Sequence, residues 1–196
     1  MPDDRLGIVV ADASGHGVGA AMHMTTVRAF IHFGIRDYQG PARLLSNVNT
    51  YVTRDSSQTG RFMSMFFLEI DPKSQSLRWV RAGHEPALFF EQAGKSFAEL
   101  NGEGMVLGVD DKFQYDEFSQ SGWNSSDIIL IGTDGIQETR NENGVMFGHE
   151  RLRDIIRRHA DASAKTIRDT VIDSLRDFRG NASQEDDVTL VVVKLL

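Results

Sequence analysis

The sequence predicts an α+β fold built on antiparallel sheet, and three observations point to it. Short apolar runs such as residues 62–70 and 128–131 have strand length rather than helix length. They are joined by close turn signals, Asp71-Pro72-Lys73-Ser74 and Gln92-Ala93-Gly94-Lys95, too short for the crossovers that parallel strands need. Helices cluster before and after the strands instead of alternating with them.

The elements follow in order. Residues 6–11 form an apolar, β-branched run that reads as a buried strand, stopped by the small, glycine-rich turn Asp12-Ala13-Ser14-Gly15-His16-Gly17. Between residues 18 and 33, Ala20, Ala21, Met22, Met24, Val27, Phe30, Ile31 and Phe33 cover nearly every helical face, which predicts a helix buried on most sides. A second helix is expected over residues 41–53, with proline in its first turn and Leu44, Leu45, Val48 and Val52 at helical spacing. Strands are expected over 62–70, 77–81, 87–90 and 128–131. Two helices follow, near 149–158 and 164–178, the second closed by Gly180, and a last strand over 188–195.

Composition narrows the function. The 196 residues suffice for one domain with a sizeable core, burying roughly 70% of the surface the unfolded chain exposes. There are no cysteines, which excludes disulfides, thiolate zinc sites and cysteine nucleophiles and fits a reducing, cytoplasmic setting. A net charge of -7 without a basic run argues against nucleic acid and anionic membranes as partners. No stretch has the ~20 apolar residues of a membrane span, and the opening Met1-Pro2-Asp3-Asp4-Arg5 is no signal peptide.

Three apolar strands carry carboxylate at an end: Asp12 after 6–11, Asp134 after 128–131, and Asp186-Asp187 before 188–193. Strand ends distant in sequence can converge in a sheet. Convergence of ionised carboxylates is unfavourable by itself, at about 3 kcal/mol per pair ~5 Å apart with an effective dielectric of ~20. Divalent cations remove that penalty, and an all-oxygen donor set suits Mg²⁺ or Mn²⁺. Blander readings stand beside this one. Asp12 or Ser14 could cap the helix that follows, Asp134-Gly135 is a common turn pair, and Asp186-Asp187 could be a solvated strand entry. His16 and His84 each follow glycine and suit capping, packing or hydrogen bonding. Met22, Met24, Met63 and Met65 read as core, and Arg151, Arg153, Arg157 and Arg158 as the wet face of an amphipathic helix.

Taken in order, the segments resemble a family. Asp12-Ala13-Ser14-Gly15-His16-Gly17 with Ala20-Ala21 resembles the first motif of the metal-dependent protein phosphatases of the PPM (PP2C-like) superfamily, in its bacterial SpoIIE/RsbU-type branch. Ala82-Gly83-His84-Glu85-Pro86-Ala87, Leu107-Gly108-Val109, Thr133-Asp134-Gly135-Ile136-Gln137-Glu138 with Phe147-Gly148, and Asp186-Asp187-Val188-Thr189-Leu190 match further motifs. The resemblance spans nearly the whole chain and implies one phosphatase domain over 1–196, an α/β/β/α sandwich of two mainly antiparallel sheets flanked by helix pairs. It implies two Mn²⁺ or Mg²⁺ ions, with Asp12 bridging them and the Ala13 carbonyl, Asp134 and Asp186 completing the ligands. No side chain would be the nucleophile; a metal-activated water would be. Ser14, His16, Gly135 and Asp187 would stand around these ligands, His16 lying four residues after Asp12 rather than two as the catalytic-acid histidine does in the eukaryotic branch.

The resemblance implies a serine/threonine protein phosphatase in sigma-factor signalling, acting on a phosphorylated STAS-type anti-sigma-factor antagonist. The family's Gly-Gly-Asp-type segment, which precedes the first strand, is not found before Leu6. The expectation is therefore a piece of a longer protein with an N-terminal regulatory domain, metal binding that is partial or absent, and homodimerisation left open. The alternative from another class is a binding or regulatory module on a phosphatase fold with its chemistry lost.

Overall fold

The computed structural model describes residue 1 and residues 4–196; residues 2 and 3, read above within the N-terminal stretch, lie outside the described residues. The chain runs β1 (Leu6–Ala13), α1 (Gly17–Gly34), a 3-10 turn (Ile35–Asp37), α2 (Pro41–Ser56), β2 (Met63–Asp71), β3 (Ser76–Ala82), β4 (Ala87–Glu91) and β5 (Ser96–Leu100). It continues through β6 (Phe118–Ser121), β7 (Ile128–Gly132), α3 (Gly135–Glu138), α4 (Gly148–His159), α5 (Ala164–Arg179) and β8 (Leu190–Lys194). Two units divide the chain: residues 1–86 with 101–122, and residues 87–100 with 123–196.

The first unit holds an antiparallel sheet in the order β1-β2-β3-β6 with α1 and α2. β2 is buried on both faces, which is why its sequence lacks polar alternation. Met63, Met65 and Phe67 on one face pack with Val27 and Ile31 of α1 and with Leu44, Leu45, Val48 and Val52 of α2. Truncating the fully buried Leu45 to alanine would cost about 2–5 kcal/mol. On β2, Glu69 is buried opposite Arg78 of β3 and accepts from its Nε at 2.7 Å, so the buried carboxylate is paired.

Several expectations fail in this unit. β1 is an edge strand and only Val10 is fully buried, because one neighbour covers one side alone. α1 is a surface helix whose buried stripe is Ala20, His23, Val27 and Ile31, at spacings of three and four residues. Val18, Met22, Met24 and Phe33 are exposed, so apolar density overstated its burial, and only Met63 and Met65 of the four methionines are core. Nor does Asp12 or Ser14 cap this helix: the N-cap is His16, and no side chain supplies a cap.

The second unit holds the antiparallel sheet β5-β4-β7-β8 with α3, α4 and α5. Leu152 and Ile156 of α4 and Ile167, Val171 and Leu175 of α5 cover Leu88, Phe90, Ile128 and Leu130. The arginines of α4 lie on its outer face as expected: Arg153 pairs with Glu150 and Glu99, and Arg157 with Asp154. Ser163 caps α5 by accepting from the Thr166 amide, and Gly180 closes it. The sequence reading missed β5, β6 and α3. β5 and β6 are short edge strands without apolar runs, and α3 is only four residues.

Candidate functional site

In the second unit, β7 and β8 are antiparallel neighbours, with Gly132 opposite Leu190. The end of β7 therefore lies beside the beginning of β8, and the carboxylates that flank these strands share one end of one sheet. Thr133 fastens the two segments together. Its amide donates to the Thr189 carbonyl at 3.1 Å. Its hydroxyl donates to the Asp187 carbonyl at 3.0 Å and accepts from the Thr189 amide at 3.0 Å. Thr133 is buried, while Asp187 and Thr189 on the other side of these bonds are exposed.

The next two residues explain why glycine follows aspartate. Asp134 is the half-exposed N-cap of α3, and its carbonyl accepts from the Glu138 amide at 2.9 Å. A Cβ on Gly135 would stand 2.4 Å from the Asp187 backbone oxygen, so no larger residue fits unless a strand moves. On the facing segment the Asp187 amide donates to Asp186 Oδ1 at 2.7 Å, and Gln184 Nε2 donates to the Asp186 carbonyl at 2.9 Å. Asp186 and Gly135 line one small cleft with Glu138, Arg140 and Arg179. The structure thus places the segments that carry Asp134 and Asp186 side by side, and the Asp187 backbone serves the strand junction.

In the first unit, Asp12 is the penultimate residue of β1, exposed, and directly opposite Ser64 of β2. Ala13 ends the strand. Ser14 is locked to the start of β2: its amide donates to the Phe62 carbonyl and its Oγ accepts from the Phe62 amide, both at 2.9 Å. His16 is exposed at the head of α1. His84 is buried, and its Nδ1 lies 2.8 Å from Ser64 Oγ. Ser64 had no part in the sequence reading. Its signal was a single hydroxyl inside the apolar stretch Met63-Ser64-Met65-Phe66-Phe67.

The donor set fits a hard divalent cation in kind: Asp12, Asp134 and Asp186 are carboxylates, and the chain has no thiolate to favour softer metals. Among the described residues, no three His, Asp or Glu side chains gather into a group that could hold a metal ion.

Comparison with known proteins places this geometry. The family model for stage II sporulation protein E (SpoIIE) matches residues 2–196. The phosphoserine phosphatase RsbU of Bacillus subtilis (strain 168) is 28% identical over 194 residues, 97% of this chain and 56% of RsbU. The chain thus spans just over half the length of that relative. Among solved structures, the SiaA-PP2C domain of Pseudomonas aeruginosa superposes with a TM-score of 0.86 at 23% identity, covering 100% of this chain and 78% of that one, a likeness of fold. The RsbU and RsbW domains of a Mycobacterium tuberculosis protein match with a TM-score of 0.77 at 26% identity, covering 97% of this chain and 52% of that one. Two antiparallel sheets with their helices, anticipated from the sequence, are the fold of these phosphatase domains.

Proposed function

The chain belongs to the SpoIIE family, and on that footing we propose that it hydrolyses phosphoserine or phosphothreonine on a regulatory protein, using water and two divalent cations. The observation that carries the reading is the locked junction of Thr133 and Gly135 with Asp187, which holds the Asp134 and Asp186 segments together at one sheet end. Ionised carboxylates at one sheet end repel one another, and a divalent cation between such groups would remove that repulsion.

Asp134 and Asp186 would each give carboxylate oxygens to a cation, and Asp12 and the Ala13 carbonyl are likewise proposed as metal ligands. Bound Mg²⁺ or Mn²⁺ would supply Lewis-acid activation of water and neutralise phosphoryl charge. The protein's own part is placement. Thr133 and Gly135 hold the Asp134 and Asp186 segments side by side, and the Ser14 lock on Phe62 holds the loop that follows Asp12. The phosphatase names of relatives support the reaction class. A STAS-type anti-sigma-factor antagonist is the proposed substrate, a regulatory domain in the whole protein the proposed partner, and the cytoplasm the proposed location. Among the described residues no helix is long and apolar enough to cross a membrane.

The test is phosphate release from a serine-phosphorylated antagonist protein, with MnCl₂, with MgCl₂ and with EDTA. Release that needs the cation and is abolished by Asp134→Asn is the expected result. Undiminished release in EDTA would overturn the metal reading, and no release from any phosphoserine protein would leave the phosphatase fold serving as a binding module.

A further inference from the structure

His84 has no place in the mechanism above, yet it is 3% exposed and held from three sides. Gly83 precedes it at φ +65, and a Cβ there would meet Val106 Cγ1 at 2.4 Å, so the backbone turns left-handed where only glycine fits comfortably. The His84 carbonyl accepts from Arg81 Nε, and Arg81 Nη1 donates to the Gly102 carbonyl at 2.7 Å. The ring itself meets Ser64 Oγ at 2.8 Å. Ser64 in turn lies directly opposite Asp12 across the β1–β2 pair. Side chains directly opposite in an antiparallel pair share a face, with Cβ atoms about 4.5–5.5 Å apart.

We propose that His84 is a positioning residue that orients the Asp12 carboxylate through Ser64, a relay His84–Ser64–Asp12 built into the first unit. With the proton on Nδ1, the ring donates to Ser64 Oγ and leaves the Ser64 hydroxyl hydrogen to point at the carboxylate across the strand. A serine alone has three rotamers; one fixed by a buried imidazole has one. The Asp12 carboxylate is then pre-oriented, which is how groups behind metal ligands raise affinity. This inference rests on the metal reading of Asp12 given under Proposed function.

The test is calorimetric titration of MnCl₂ into the full chain, with melting temperature and p-nitrophenyl phosphate hydrolysis measured alongside. Ser64→Ala and His84→Gln should each weaken Mn²⁺ binding by about tenfold, the low end for groups behind a ligand. The double variant should be no weaker than either single one, because both changes cut the same chain. His84→Asn should bind close to wild type, since its amide nitrogen stands near the place of Nδ1, whereas glutamine reaches the place of Nε2. Independent, multiplying losses, or equal losses for Asn and Gln, would overturn the relay, as would losses that track a fall in melting temperature. Asp12→Asn separates the two claims. If it weakens Mn²⁺ binding while Ser64→Ala and His84→Gln do not, the relay alone is wrong. If Asp12→Asn leaves Mn²⁺ binding unchanged, the metal reading is wrong and the relay falls with it.

Discussion

The Thr133 hydroxyl donates to the Asp187 carbonyl at 3.0 Å, and this one bond joins the residue before Asp134 to the residue after Asp186. The same oxygen accepts from the Thr189 amide, so a backbone donor and a backbone acceptor both depend on it. Thr133→Val keeps the shape and removes both partners. The expected loss of stability is about 1–3 kcal/mol, two hydrogen bonds at roughly 0.5–1.5 kcal/mol each, read as a lower urea midpoint with an unchanged slope. Thr133→Ser keeps the hydroxyl and should stay near wild type. A valine variant as stable as wild type would mean that β7 and β8 hold the junction without it.

Asp134→Asn tests the charge rather than the shape. The side chain is half-exposed at the head of a four-residue helix, so the amide is accommodated without a buried, unpaired group. Phosphate release at saturating Mn²⁺ should fall by orders of magnitude while the melting temperature holds or rises. A rise would have a physical cause: without metal, removing one negative charge from a chain of net charge -7 lessens like-charge repulsion. Equal turnover by variant and wild type would remove Asp134 from the site.

Gly135→Ala tests the spacing. The alanine Cβ would lie 2.4 Å from the Asp187 backbone oxygen, a contact no side-chain rotation can relieve. β8's entry must move away, which separates the Asp186 segment from Asp134. A stability loss of about 1–3 kcal/mol is expected for such overpacking, together with weaker Mn²⁺ binding. Alanine tolerated in both assays would show the junction to be slack.

How far the sequence discloses this depends on how local each signal is. The strand ends at Asp134 and Asp186 were legible because each apolar run stops at a carboxylate, and β7 and β8 proved to be neighbours. Thr133's role was not legible, since its partners stand 54 and 56 residues away. The Ser64–His84 bond, 20 residues apart, is equally invisible to periodicity. α2, α4 and α5 were readable from one clean apolar stripe each. α1 was not: Val18, Met22 and Phe33 are apolar yet exposed, and pattern counts apolar side chains without knowing which face is covered. β5 and β6 failed for the opposite reason, because edge strands need no apolar run to pair on one side.

The pH dependence of folding should carry the mark of His23. It is buried on α1, and among the described residues its Nε2 finds no hydrogen-bond partner. Burial disfavours the imidazolium and pushes its pKa below the ordinary value of 6.5, while Asp55 pulls the other way and Arg61 adds to the lowering. The sign follows from proton counting. Above about 6.5 neither the folded nor the unfolded chain protonates this ring, so it contributes no pH dependence. As pH falls through that value, the unfolded chain takes up a proton that the folded chain refuses, and stability is lost. Between the two pKa values stability should therefore rise with pH, and this part of the slope should vanish in His23→Gln. The measurement is urea unfolding of wild type and variant at pH 5.5, 6.5 and 7.5. The stability difference, wild type minus variant, should be larger at pH 7.5 than at pH 5.5. A constant difference across the series would mean that the folded chain protonates His23 as readily as the unfolded one, and that its burial leaves room for the charge.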